Sequence, residues 1–236
     1  MRINKNKLIE RQILNDIIEW DIVNWSSALK FWDYHSKPIT EKSLVLEIGS
    51  RNGGLSLYAA FKGAKVICSD LHLPTMEAKS KHKKYGVSHL IKYKKIDATN
   101  IPYNSSFDKI IFKSVLGGIG CNERKDLQRK AINEMYKALK IGGQLIFAEN
   151  LIGSPFHQFL RSKFIKWGNT WRYISLDEMN EFLLPFSDVK YYSCGFLGAL
   201  GRTENQSKFF GLLDKSIFNN IVSNTWHYIL IGVATK

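Results

Sequence analysis

Leu44-Val45-Leu46-Glu47-Ile48-Gly49-Ser50-Arg51-Asn52-Gly53-Gly54 reads as a short buried strand that breaks into a glycine-rich bend. A brief, nearly all-apolar run before a turn signal suits a strand covered on both faces. The glycines let the backbone turn tightly and approach a ligand closely. A helix expected from Leu55 to Lys62, closed by Gly63, presents its free N–H groups to the same bend. Strand, glycine bend and helix in that order form the opening unit of a parallel α/β sheet.

The pattern repeats downstream. Strands are expected at Lys65 to Asp70, Leu90 to Ile96, Phe107 to Val115 and Gln144 to Glu149, the last entered through Gly142-Gly143. Helices are expected from Pro74, suited to a first helical turn, and from about Glu123 to Lys140. Ser175-Leu176-Asp177-Glu178 is a capping box that opens another helix. Asp188 to Cys194 and Trp226 to Ala234 complete the sheet as an antiparallel pair. The fold class is therefore α/β, a Rossmann-like, doubly wound, mostly parallel sheet of roughly seven strands with an antiparallel last strand. Upstream, residues 7 to 35 read as helices with a break near Asn24. Ile9, Ile13 and Ile17 make one stripe at helical spacing, and Trp25, Ala28, Leu29 and Trp32 make a second.

The chain has 236 residues and 44% hydrophobic content, enough for one α/β domain with a modest appendage. No apolar run is long enough to span a bilayer, and no signal-peptide-like stretch follows the basic start, so a cytoplasmic protein is expected. Cys68, Cys121 and Cys194 are dispersed and odd in number, which suggests neither a metal cluster nor a disulfide framework. The formal charge of +13 fits either a solvated lysine-rich surface or an anionic partner such as nucleic acid.

In such a sheet, ligands bind outside the carboxyl end of the first strand, where the winding reverses. The glycines at 49, 53 and 54 do not make the Gly-x-Gly-x-x-Gly dinucleotide fingerprint, which disfavours NAD. Glu47-x-Gly49-x-x-x-Gly53 instead resembles the first motif of the class I S-adenosylmethionine-dependent methyltransferases, with Arg51 where a middle glycine usually stands. Asp70 after the second strand, Asp97-Ala98 after the third, Phe107-Asp108 in the fourth and Leu139-Lys140-Ile141-Gly142-Gly143 before the fifth fall in that family's order. The broad type 11 group is the subset most resembled, particularly members found in bacterial surface-polysaccharide biosynthesis.

The resemblance implies S-adenosyl-L-methionine as cofactor, with Glu47, Gly49, Arg51, Gly53, Asp70, Leu71, Asp97, Ala98 and Lys113 as its site. It implies the Asp70 carboxylate on the ribose hydroxyls, Asp97 on the adenine amino group and a structural Asp108. It also implies a division into an N-terminal helical lid at 1–38, carrying Trp20, Trp25 and Trp32, and a methyltransferase domain at 39–236.

Methyl transfer is an in-line displacement, and a base assists when the acceptor carries a proton. His157, whose ordinary pKa lies near neutrality, and Glu149 at the end of the fifth strand are the candidate bases. Lys113, Ser114 and the small-residue run Gly117-Gly118-Ile119-Gly120 are expected near cofactor and acceptor. Arg161, Trp167, Trp171 and Arg172 either hold an anionic or sugar-bearing acceptor or serve packing and solvation. The segment Gly195 to Gly201, with Arg202 and Glu204, is a further possible wall. The expected partner is a small-molecule acceptor methylated on oxygen or nitrogen. The competing readings are an RNA methyltransferase and a non-catalytic partner protein with the same fold.

Overall fold

The computed structural model describes residues 5–164 and 171–236. Three helices, α1 (Lys5–Ile18), α2 (Ile22–Trp25) and α3 (Ser27–His35), precede β1 (Leu44–Ile48). Next come α4 (Gly54–Phe61), β2 (Lys65–Asp70), α5 (Met76–Lys84) and β3 (Ile91–Lys95). They are followed by β4 (Phe107–Lys113), the short α6 (Leu116–Ile119), α7 (Lys125–Ala138) and β5 (Leu139–Asn150). The remainder holds α8 (Pro155–Phe164), α9 (Leu176–Leu183), β6 (Asp188–Cys194), α10 (Glu204–Leu213), α11 (Asn219–Ile221) and β7 (Ile229–Thr235).

The strands form one seven-stranded sheet in the order β3-β2-β1-β4-β5-β7-β6. β7 is antiparallel to both β5 and β6, while the pairings among β1 to β5 are parallel. Alternate residues of each strand feed two cores. Leu46, Ile48, Ile110, Phe112, Leu145 and Phe147 face α7 and α9, which contribute Ile132, Met135, Met179 and Phe182. Val45, Val66, Ile111, Ile146 and Ile231 face the other way, against Ile17, Ile18, Trp25 and Trp32 of the N-terminal helices and Leu55 to Ala60 of α4. Trp32 is fully buried and its indole Nε1 donates to Phe147 O at 3.2 Å. The α3 helix is therefore a layer of the core.

Several boundaries differ from the sequence reading for local reasons. The helical region breaks twice, at Glu19 and Asp21, whose φ values of 73° and 42° are left-handed, and at Ser26 between α2 and α3, close to the expected break near Asn24. Asn122 and Glu123 are also left-handed, at 61° and 60°, so α7 starts only at Lys125. The α5 helix is capped by Thr75, whose Oγ1 accepts from Ala78 N at 3.1 Å, leaving Pro74 just outside it. β5 begins at Leu139 and bulges at Gly142-Gly143, where Gly142 has a φ of 70° and the pairing with β4 jumps from Phe107–Leu139 to Lys109–Gln144. The capping box at Ser175 and Glu178 forms as expected, with both reciprocal bonds present. Asp108 is structural: it accepts from Leu44 N and from the Lys140 ammonium, each at 2.8 Å.

Candidate functional site

The strand order reverses between β1 and β4, and a cavity of about 1190 Å³ opens at their carboxyl ends. Gly49 forms its floor. Its φ is +66°, and a Cβ there would lie 2.5 Å from Val115 Cγ2, so only glycine lets the bend pass under the loop that follows β4. Glu47 braces the bend from beneath. It is 3% exposed and accepts from Leu55 N at 3.2 Å, from Ser56 N at 2.9 Å and from the Ser56 hydroxyl. Burial pushes its pKa up to about 7, against those donors. Gly53 caps α4 and lies under His82, whose Nε2 is 2.8 Å from Gly53 O. Glu47 and Gly53 thus shape the bend and do not line the large cavity.

Arg51, Asp70, Leu71, Asp97, Ala98 and Lys113 do line it. Asp70 is oriented by two backbone donors, Arg51 N to Oδ2 at 2.8 Å and Leu71 N to Oδ1 at 2.7 Å. Each oxygen keeps further lone-pair capacity for a diol. Asp97 turns Oδ1 onto Thr99 N and Oγ1, both at 2.8 Å, and its Oδ2 has no partner among the described residues. Ile96, Ala98, Ile119 and Leu127 supply apolar lining in the same cavity. Two carboxylates with spare acceptors beside an apolar slot fit the ribose and adenine of S-adenosylmethionine.

Lys113 is committed differently from the cofactor role expected of it. Its ammonium donates to Ile18 O and rests 3.1 Å from the centroid of the Trp20 ring and 5.2 Å from that of Trp25. Burial pulls its pKa down to about 7. The lysine therefore ties the end of β4 to the α1–α2 junction, and Trp20 and Trp25 reach the cavity from that junction.

Neither candidate base opens onto the cavity. His157 is 2% exposed; its Nδ1 lies 2.7 Å from Ser154 Oγ and its Nε2 2.7 Å from Phe196 O. Both ring nitrogens are used, and burial lowers the pKa. Glu149 is fully buried and accepts from Val115 N and Leu116 N at 2.8 Å and from Asn150 N at 2.9 Å. It holds the loop after β4 in place, and burial pushes its pKa up to about 7. In this structure both side chains are engaged by the fold and neither is part of the cavity lining.

The structure brings other groups to the cavity instead. Asp21 and Tyr228 line it, and the Tyr228 hydroxyl donates to Asp21 Oδ2. Asn24 Nδ2 donates to the Tyr228 oxygen at 2.9 Å and to Asp214 Oδ2 at 3.0 Å. Asp214 also anchors Leu197 N and Gly198 N, each at 2.8 Å. Asp21 Oδ1 is buried without a hydrogen-bond partner among the described residues, and burial pushes the carboxyl up to about 7. No local motif announces this network, because its members lie about two hundred residues apart in the chain. Three non-glycine residues of the lining, Asp21, Arg51 and Ser114, hold left-handed φ values of 42°, 45° and 55°. Strain of this kind concentrates at functional sites.

The far wall is aromatic and basic. Trp171, Tyr173 and Arg161 line it, with Gly198, Ala199 and Gly201 beside Arg202 and Glu204. The Trp171 indole lies directly on Gly117, where any Cβ would overlap the ring, so the small residues of that loop serve this contact. Arg172 is instead a structural tie, bonded to Glu178 at 2.6 Å and Gln128 at 2.7 Å. Trp167 lies outside the described residues.

Residues 46–147 match the family described as a methyltransferase domain. No curated protein matches the chain by sequence. Among solved structures, Haemonchus contortus phosphoethanolamine N-methyltransferase 2, bound to phosphomonomethylethanolamine and S-adenosylhomocysteine, superposes with a TM-score of 0.62 at 18% identity. That match covers 90% of this chain and 52% of the other, so the chain spans about half the length of that enzyme. Streptomyces coelicolor geranyl diphosphate C-methyltransferase gives a TM-score of 0.59 at 11% identity, covering 89% of this chain and 78% of that one. The [4+2]-cyclase SpnF gives 0.57 at 16%, covering 88% and 79%. At these identities the likeness is one of fold.

Proposed function

This chain carries a class I S-adenosylmethionine-dependent methyltransferase domain, and on that premise we propose that it methylates an oxygen or nitrogen of a small molecule, a sugar or polysaccharide precursor being the preferred class. The observation that carries the reading is the cavity of about 1190 Å³ at the carboxyl ends of β1 and β4. Sites for one small ligand span roughly 300–1,000 Å³, so this one has room for cofactor and acceptor together. Asp70 and Asp97 hold the nucleoside, and Gly49 and Arg51 bound the methionine end. The α1–α2 junction, latched by Lys113, covers the site and keeps water out. The aromatic wall of Trp171 and Tyr173 suits stacking against a sugar face.

S-adenosylmethionine supplies a methyl group already activated on a sulfonium. The chain orients the acceptor and receives its proton, and Asp21 is the group placed for that. Its Oδ1 has spare acceptor capacity, while Tyr228 and Asn24 fix Oδ2 and the ring.

Calorimetry with S-adenosylhomocysteine tests the cofactor half. Binding is expected, and Asp70→Asn should weaken it at least tenfold by removing charge-assisted acceptance worth about 1.5–3 kcal/mol. Absence of binding to the wild-type protein would refute the reading. Methyl-labelled S-adenosylmethionine added with a cell extract should label low-mass compounds; label confined to RNA would overturn the small-molecule assignment.

A further inference from the structure

We propose that Arg161 forms an oxyanion-binding site in the acceptor half of the cavity, so that the methyl acceptor carries a phosphate or carboxylate group. The inference rests on the methyl-transfer reading for the identity of the ligand as acceptor. Arg161 is half-buried on α8 where it lines the cavity. Its Nη1 donates to Leu151 O at 3.2 Å and to Ile152 O at 2.7 Å, just beyond the end of β5. The guanidinium carbon stands 3.8 Å from the centroid of the Tyr173 ring. Backbone carbonyls on one edge and an aromatic face on another hold the planar group in one orientation.

What this arginine lacks is an acid. Arg124, Arg129 and Arg172 each bridge a carboxylate. Arg161 bridges none among the described residues, and the residues outside that set, 1–4 and 165–170, contain neither Asp nor Glu. Withdrawing a cation from water is unfavourable unless an anion compensates it. Burial indeed lowers the Arg161 pKa, opposed only by Tyr173 and Tyr228. Nε and Nη2 make no hydrogen bond to the described residues, and this edge of a guanidinium grips two oxygens of a phosphate or carboxylate in parallel. Tyr173 and Trp171 beside it would cover the body of the ligand. A fixed cation, open on its bidentate edge and unpaired by the protein, is a built receptor for an oxyanion.

The test uses the full chain saturated with S-adenosylhomocysteine and titrated calorimetrically with inorganic phosphate, uridine diphosphate and glucuronate. At least one probe should bind. Arg161→Met should weaken that binding at least tenfold, and Arg161→Lys should fall between, keeping the charge but not the fork. Lys163→Met removes the same charge from an exposed position of the same helix and should change affinity less than twofold. Should Arg161→Met fail to show a cooperative melt, the lysine variant carries the comparison. Tightest binding by uridine diphosphate would identify a nucleotide-linked source, and by glucuronate a sugar acid; either supports the site. Binding of none of the three, or equal weakening by the Arg161 and Lys163 variants, would overturn it. Saturation with S-adenosylhomocysteine in the same cell separates the failures. If that ligand binds and no oxyanion does, only this inference falls. If it does not bind, the methyltransferase reading falls as well.

Discussion

Asp21→Asn should raise thermal stability at pH 8 and by only about a third as much at pH 5. The asparagine keeps an oxygen to accept from Tyr228 and tolerates the left-handed backbone at that position. What it removes is a buried ionisation. Burial pushes the Asp21 carboxyl from 3.8 up to about 7. Between those values the folded chain holds a proton that the unfolded chain has released, so wild-type stability falls as pH rises through that window. The span corresponds to about 4 kcal/mol when fully developed, and at 8% exposure little of it is screened by solvent. For a chain of this size each kcal/mol moves the melting temperature by roughly 2–4 °C. The variant should therefore gain on the order of 10 °C at pH 8. At pH 5 the folded wild type is still neutral but the unfolded chain has been ionising since 3.8, so a little over a third of the span has developed and the variant should gain roughly a third as much as at pH 8. Melting curves by circular dichroism at both pH values decide the matter. An equal shift at both, or a loss at pH 8, would refute the claim that a desolvated carboxylate sits at the cavity wall. S-adenosylhomocysteine affinity should change little, so the gain in stability would come at the expense of proton transfer rather than cofactor binding.

Two further substitutions separate roles that the sequence leaves mixed. Glu149→Gln turns an N–H₂ toward one of three backbone donors and strands it, at about 1–3 kcal/mol. At pH 4.5, where the burial penalty on the Glu149 charge has barely developed, the melting temperature should fall by roughly 2–12 °C. An unchanged melt would instead restore Glu149 as a candidate base. Gly49→Ala places a Cβ 2.5 Å from Val115 at a φ of +66°, so S-adenosylhomocysteine affinity by calorimetry should drop at least tenfold. Retained affinity would show that the bend tolerates a side chain and does not approach the ligand.

Local pattern carried much of the fold. The strands at Leu44–Ile48, Lys65–Asp70 and Asp188–Cys194 and the cap at Ser175 depend on neighbours a few residues away, and their signals lie in the sequence itself. Strand ends are equally local, which is why Asp70 and Asp97 could be read as neighbours of one crevice from the sequence, whereas Gly53, expected beside them, caps α4 outside the cavity. The described residues include no helix long and apolar enough to cross a membrane. What the sequence alone could not decide was which polar groups remain free. His157 looks available until Phe196 O arrives at 2.7 Å from a segment thirty-nine residues away. Asp21 looks like a linker residue until Tyr228 packs on it from the other end of the chain. Lys113 and Glu149 sit at strand ends where a ligand is expected, yet the α1–α2 junction and the loop after β4 claim them. A buried polar group must find a partner, and any sequence-distant atom can satisfy it. Whether a side chain serves the fold or a substrate is therefore settled by tertiary packing.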